Sequence, residues 1–566
     1  MTEFLLVFAL AIALGWPLGR YLAAVMRGAP MRGDALFGWL ERPLYRLLGV
    51  DPAQGMDWKA YAKAFLLSNL ILGMLTWGVF MTQAWLPLNP NDAPNMRWDL
   101  ALHTMVSFLT NTNQQHYSGQ AQLSHLAQMT GIVGLQVVTP MMGLALVVAT
   151  LRGFFGGRGD KATTPAAGDA DVGNYWADVI RPAVRLMLPL CLLWSLLLTW
   201  QGVPSTLQGG PVATPIDTTV QMAEQKIPVG PVAPMVAAKQ LGTNGGGWYG
   251  PNSAVPLENP TPFSNLLETL GIVLIPVAIA FMVGGFTGRR RFTALVFGTM
   301  LTMSLVSTGA ALWSESLSGT ATDIALMEGK EVRFGDTPSA LWAAVTTQTS
   351  NGSVNAMHDS LAPLTGLVTL GNMLVNAIWG GIGCGLQQFL VYLLLSVFLA
   401  GLMTGRTPEL FGRKIEAHEV KLLAALVLLQ PLALLAFTAT TLAVPSITGN
   451  SNPGFHGISQ VFYEYTSAFA NNGSGFEGLG DATYWWNLST TLMLLLGRYP
   501  ALIIPLAIAA SLARKRAAPE SPGTLQVETP TFALTLIAVV VILTLLQFMP
   551  VLVLGPIADH LALSAL

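Results

Sequence analysis

The chain has 566 residues, 52% of them hydrophobic and only 10% charged, with a mean hydropathy of +0.53. Soluble domains carry about 25% charged residues, so the composition excludes a soluble globular protein and predicts an all-α polytopic membrane protein. The net charge of −2 predicts no nucleic acid and no acidic partner, and two cysteines in apolar runs, Cys191 and Cys384, are too few for a disulfide framework or a metal site.

A membrane crossing needs about 20 apolar residues. Ten such runs occur, near 3–25, 61–86, 125–151, 179–203, 264–288, 292–313, 364–404, 420–445, 485–512 and 531–556. Arg20 and Arg27 follow the first run and no basic segment precedes it. It reads as a retained transmembrane helix rather than a signal peptide. Residues 33–50 mix Phe, Trp and Leu with Arg, the pattern of an amphipathic helix on the inner membrane surface or of a short packed helix. The small-residue stretch 153–175 and the Pro- and Ser-rich stretch 517–529 read as linkers. The run 364–404 is too long for one straight helix. Gly380, Gly381, Gly383 and Gly385 crowd its middle, which predicts a break there, read as an intramembrane loop that constricts an ion path.

Basic residues fix the orientation. All Lys and Arg except Arg97, Lys226, Lys239, Lys330, Arg333 and the intramembrane Arg498 fall in the segments that follow the odd-numbered spans, flanking helix ends included. Those segments are predicted to be cytoplasmic, among them Arg289-Arg290-Arg291 and Arg514-Lys515-Arg516. Both termini are then external.

Four loops of related composition fall on the external side: Thr112-Asn113-Gln114-Gln115, Thr243-Asn244-Gly245-Gly246, Ser350-Asn351-Gly352-Ser353 and Asn471-Asn472-Gly473-Ser474. One loop of this kind is usually an ordinary turn. Four at equivalent places are not. Each follows a short apolar stretch (101–109, 232–241, 340–348 and 458–470) of the length of a pore helix. Such a helix would aim its partly negative C-terminus at a common axis. The unit span, pore helix, loop, span then recurs over 61–152, 178–288, 292–405 and 419–513, with an added span in 1–60 and another in 530–566. Glycine reaches φ > 0 freely and lets successive carbonyls face an ion. None of the four loops carries Asp or Glu. Neutral oxygens favour K⁺ over Ca²⁺ or Mg²⁺.

Arg498 lies near the middle of the ninth span, roughly 20 Å from either end at 1.5 Å per residue. It is too deep to snorkel. The expected partners are free carbonyls near the broken span, and the expected effect is a barrier to a cation on that path. No Walker-type phosphate loop occurs. Asp160-Lys161-Ala-Thr-Thr164 holds only part of the phosphorylated Asp-Lys-Thr-Gly-Thr motif of P-type pumps and reads as linker. The chain is predicted to have no catalytic site and no cofactor of its own.

Several motifs resemble one family in order along nearly the whole chain. They are Thr110-Asn-Thr-Asn113, Gln240-Leu-Gly-Thr-Asn-Gly-Gly-Gly247, Pro251-Asn-Ser253, Glu258-Asn-Pro260, Thr349-Ser-Asn-Gly-Ser353, Gly405-Arg-Thr-Pro408 and Asn471-Asn-Gly-Ser-Gly-Phe476. They are similar to the potassium-binding subunits of Kdp-type potassium-transporting ATPases. At Gln114 the chain departs from that pattern, which has a bulkier aromatic there. The resemblance implies a four-fold pseudosymmetric K⁺ transporter that captures external K⁺ with high affinity at the bacterial inner membrane, with K⁺ held by the four loops. It implies a P-type ATPase catalytic subunit and two small membrane subunits as partners, beside membrane lipid. A self-contained K⁺ or Na⁺ uptake channel of the same superfamily and a structural membrane subunit are the alternatives.

Overall fold

The computed structural model describes residues 2–31, 33–155, 171–217, 222–317, 327–519 and 524–564. Most of the predicted linker 153–175, with Asp160 and Lys161, lies outside the described residues, as do 520–523 of the linker 517–529 and the last two residues.

Among the described residues, ten helices have the length and composition to cross a membrane. In chain order, with the shorter helices between them, the elements are α1 (Thr2–Arg27), α2 (Asp34–Leu48), α3 (Trp58–Trp85), α4 (Trp98–Leu109), α5 (His125–Phe155), α6 (Tyr175–Trp200), α7 (Val232–Leu241), α8 (Pro262–Thr287) and α9 (Arg290–Leu317). Then come α10 (Asp336–Gln348), α11 (Pro363–Val375), α12 (Cys384–Met403), α13 (Ala417–Ala443), α14 (Phe455–Phe469), α15 (Tyr484–Arg514) and α16 (Pro530–Leu563). Among the described residues, the β-strands form two short hairpins, Val212–Ala213 with Gln225–Lys226 and Glu409–Leu410 with Arg413–Lys414.

Helix starts are written locally. The Asp57 side chain accepts from the Ala60 N–H at 2.7 Å ahead of α3. Thr261 and Ser264 form a reciprocal capping box at α8, and Thr483 and Thr529 cap α15 and α16. Each satisfies backbone donors that would otherwise lack partners at a helix end. Gly15 and Gly19, one turn apart on α1, let that helix close on α8. A Cβ at Gly19 would strike the Ala278 carbonyl. Close backbone approach through small residues is how helices associate when lipid removes most of the hydrophobic drive. α5 and α8 are buried along most of their length, whereas α1, α6 and α13 expose wide apolar faces.

The predicted pore-helix stretches are helical and begin a few residues earlier in three cases: α4, α10 and α14. The seventh span is two helices, α11 and α12, separated by 376–383. Asn376, Gly380 and Gly383 have φ of 47°, 61° and 81°, a run of left-handed residues that no helix accommodates. Helix α2 forms where amphipathicity predicts it. Arg185 anchors it through Glu41 (2.5 Å) and Asp34 (2.7 Å), while Leu36, Trp39 and Leu47 stay exposed.

Candidate functional site

The four loops that follow α4, α7, α10 and α14 meet one another. In each, a residue with φ > 0 comes first, and another follows two positions later. These are Asn111 (63°) and Asn113 (58°), Thr243 (47°) and Gly245 (71°), Ser350 (52°) and Gly352 (84°), and Asn471 (53°) and Gly473 (103°). The residue between them donates its N–H to the carbonyl five positions earlier, in the last turns of the preceding helix. The pairs are Thr112 to Ser107 (2.9 Å), Asn244 to Lys239 (3.0 Å), Asn351 to Thr346 (3.0 Å) and Asn472 to Ser467 (2.9 Å).

This shared geometry corrects the register of the first loop. Its counterpart of Thr243–Gly246 is Asn111–Gln114, not Thr112–Gln115. The other three loops place Gly at the second left-handed position. The first places Asn113 there, because Asn tolerates that conformation better than other residues with a Cβ. In this register the first loop reads Asn111-Thr112 where the second reads Thr243-Asn244, so neither Thr110-Asn111 nor Thr112-Asn113 marks it and only the backbone dihedrals do. Gln115 sits one position beyond the ring. Its side chain pairs with Gly247, accepting from the N–H at 2.7 Å and donating to the carbonyl at 3.1 Å.

The loops close into a ring in chain order. Asn113 Nδ2 donates to the Gly245 carbonyl at 3.0 Å. A Cβ at Gly245 would meet the Asn351 carbonyl oxygen, one at Gly352 the Asn472 carbonyl, and one at Gly473 the Thr112 carbonyl. Gly246 packs against Asn113. Side chains brace the ring from behind. Asn351 donates to the Lys239 carbonyl (3.0 Å) and Asn472 to the Thr346 carbonyl (2.9 Å). Thr346 Oγ1 donates to the Ser353 carbonyl and Ser107 Oγ to the Gln114 carbonyl, both at 2.8 Å. Ser474 Oγ donates to Asn472 Oδ1 at 2.6 Å. Asn244 lies against Asn111.

Thr112, Asn113, Asn244, Asn351 and Asn472 are buried, and Gly352 is as well. Among the described residues, no protein group donates a hydrogen bond to the backbone carbonyls of these six. Buried carbonyls without a partner are costly and rare. Here they are gathered in one ring with no carboxylate in it, an arrangement that can replace the hydration shell of a monovalent cation.

Behind the second loop, Lys239 is fully buried. Its Nζ bonds Ser253 Oγ at 2.7 Å and pairs with the buried carboxylate of Glu258. The first loop leans on α14 through Gln114, whose Nε2 donates to Glu464.

The segment 376–383 abuts the second and third loops. Ile382 N–H donates to Thr243 Oγ1 at 3.1 Å, and Ser350 Oγ donates to Asn376 Oδ1 at 2.7 Å. The Trp379 and Gly380 N–H groups both reach the Gln348 carbonyl at the end of α10, at 3.2 and 2.7 Å. A Cβ at Gly381 would have Ser350 and Thr243 as its nearest neighbours, at 3.6 and 3.7 Å. Gly383 lies on the backbone of Gly143 in α5. Arg498 is buried beside this segment. It donates to Cys384 Sγ at 2.6 Å and to the Thr139 carbonyl at 3.4 Å. Free carbonyls near the broken span are the partners expected from the sequence. The thiol at the start of α12 and a carbonyl of the third span take that place. Pro140 within α5 removes one helical N–H donor nearby.

The fold and its ring of loops define a polytopic membrane protein with a buried site lined by neutral oxygens. The chain matches the model of the family described as KdpA, Potassium-transporting ATPase A subunit, over residues 5–561. It is 46% identical over 558 residues to the potassium-transporting ATPase potassium-binding subunit of Gloeobacter violaceus, covering 96% of this chain and 95% of that one. The subunit of the same name from Pseudomonas aeruginosa is 45% identical over 565 residues, with 98% of each covered. Among solved structures, the potassium transporter TrkH from Vibrio parahaemolyticus aligns with a TM-score of 0.49 at 15% identity, over 87% of this chain and 97% of that one. The chain belongs to the family of potassium-transporting ATPase A subunits.

Proposed function

We propose that this chain is the potassium-binding and translocating subunit of an ATP-driven K⁺ uptake complex. External K⁺ binds in the ring made by Asn111–Gln114, Thr243–Gly246, Ser350–Ser353 and Asn471–Ser474, with Gln115 latching the first loop to the second. The observation that carries this reading is the set of buried, unpartnered backbone carbonyls on loops that touch in cyclic order. A dehydrated K⁺ satisfies them, and neutral oxygens without carboxylates disfavour divalent ions. The units 61–152, 178–288, 292–405 and 419–513 act as four repeats around that axis.

Gly380, Gly381 and Gly383, with Arg498 beside them, form the barrier that prevents straight passage, so the ion is handed on to a partner. The partner is a P-type ATPase catalytic subunit, joined by two small membrane subunits, and this chain hydrolyses no ATP itself. Names of relatives that specify an ATPase subunit support the complex. The complex sits in a bacterial inner membrane, with both termini and all four loops external, in accord with the basic residues. Reconstitution in liposomes tests the assignment. The chain alone should bind K⁺ and concentrate none. With its ATPase partner it should take up K⁺ when ATP is supplied. Accumulation against the gradient by the chain alone would favour the self-contained channel class with its own coupling. An impermeant thiol reagent tests orientation: cysteines at Ser205 and Arg291 should label from opposite sides.

A further inference from the structure

Beside the first loop lies a second cluster of side chains, of which Glu464 also braces that loop by accepting from Gln114 Nε2. His116 on the loop, Glu464 on α14 and Asp481 ahead of α15 offer three ligand atoms, all within 4.8 Å of one another. His116 Nε2 is 3.2 Å from Glu464 Oε1 and 3.9 Å from Asp481 Oδ2. His116 and Glu464 are buried, while the Asp481 side chain is 29% exposed and opens the cluster to solvent.

The hydrogen bonds around His116 fix its tautomer. Asn487 Nδ2 donates to Asp99 Oδ2 at 2.8 Å, because a carboxylate held by Arg97 can only accept. Asn487 Oδ1 therefore faces His116 Nδ1, at 2.7 Å. An amide oxygen cannot donate, so Nδ1 carries the hydrogen. The Nε2 lone pair then points towards two carboxylates. A second proton on that nitrogen supplies one positive charge between two negative ones. A divalent cation supplies two and uses all three ligand atoms. Among the described residues, no Lys or Arg pairs with Glu464 or Asp481. His103 stacks on the His116 ring at 3.8 Å with a 16° tilt and fixes its plane.

From this geometry we infer that His116, Glu464 and Asp481 form a binding site for a divalent transition cation of the zinc class, entered past Asp481. Imidazole and carboxylate ligands suit that class, with bonds of about 2.0–2.2 Å. Tetrahedral ligands at that radius stand roughly 3.3–3.6 Å apart by the same geometry, within the spread of the two distances to Nε2. The fourth position falls on the solvent side. Asn487 is the outer partner that orients the ligand imidazole, the usual arrangement at such centres.

The test uses the full-length chain, purified in detergent without a histidine tag and equilibrated with Zn²⁺ at neutral pH. Metal analysis after desalting should find one Zn²⁺ per chain. X-ray absorption should report a first shell of one imidazole nitrogen with oxygens. Asp481→Asn and Glu464→Gln should each weaken binding by about tenfold or more, and Asn487→Ala by about 10–100-fold through loss of imidazole orientation. Absence of bound Zn²⁺ in the wild-type protein would overturn the site and leave a protonated His116 between the carboxylates. Zinc retained undiminished in Asp481→Asn, or a first shell with sulfur or oxygen alone, would overturn it too. Should the variants fail to fold, the wild-type absorption spectrum still decides.

Discussion

Gly245 stands so close to the Asn351 carbonyl that a Cβ on residue 245 would overlap that oxygen, and its φ of 71° lies in the left-handed region. The second and third loops therefore touch only because residue 245 has no side chain. Gly245→Ser should push the Asn351 carbonyl out of the ring. Strain of this kind is on the order of 1–3 kcal/mol, and every 1.4 kcal/mol corresponds to about tenfold in affinity. We expect K⁺ binding to weaken by roughly tenfold or more on that scale, with Rb⁺, NH₄⁺ or Na⁺ accepted more readily. Competition titrations on the folded variant measure this. An unchanged ion profile would remove the second loop from the site.

Two glycines of the broken span should behave differently. Gly383 has φ 81° and a Cβ there would strike the Gly143 backbone, whereas a Cβ at Gly381 finds its nearest neighbour at 3.6 Å. Gly383→Ala should dislodge the segment from α5 and open a K⁺ leak in proteoliposomes. Gly381→Ala should fold normally and stay closed. Equal, tight behaviour of both would make the glycine run a packing feature only.

Much of this architecture was legible in the chain. The ten apolar runs gave the spans, because length and hydropathy alone decide crossing. Asn-Gly pairs marked three of the loops that meet. The first loop was harder because it has no glycine, and its alternating Thr-Asn pairs leave the register open by one residue. The braces were hidden for another reason. Gln114 and Glu464 are 350 positions apart, and Arg498 finds Cys384 across 114. No local pattern announces such pairs. Lys239 read as an external charge, yet it is buried against Glu258.

That buried pair gives a stability prediction. Removing one partner of a fully buried ion pair leaves an uncompensated charge and costs about 3–5 kcal/mol. Lys239→Met should lower the melting temperature sharply and loosen the loop, whose Asn244 and Gly245 N–H groups bond the Lys239 carbonyl. Adding Glu258→Gln should restore most of the loss. Thermal unfolding in detergent reads both. A single variant as stable as wild type would contradict the assignment of Lys239 as a strut.

The clamp at the start of α14 predicts a pH dependence. His456 sits between Asp359 (2.9 Å) and Asp559 (3.0 Å). Burial disfavours its charge, but the two carboxylates outweigh that and raise its pKa from 6.5 to about 9. A raised histidine pKa stabilises the fold fully below the unfolded value of 6.5, and the gain is lost as pH rises through about 9. Wild type should therefore lose melting temperature between about pH 6.5 and 9 relative to His456→Gln. Parallel curves for the two proteins would show that the clamp contributes nothing.

The central claim is that the four loops hold K⁺ in one ring. Crystals or particles prepared with Rb⁺ or Tl⁺ in place of K⁺ test it most directly, since these heavier ions are located by their scattering. The account predicts a peak encircled by the carbonyls of Thr112, Asn244, Asn351 and Asn472, lost in Gly245→Ser. A folded protein with the heavy ion bound elsewhere, or with no ion within the ring at saturating concentration, would contradict it.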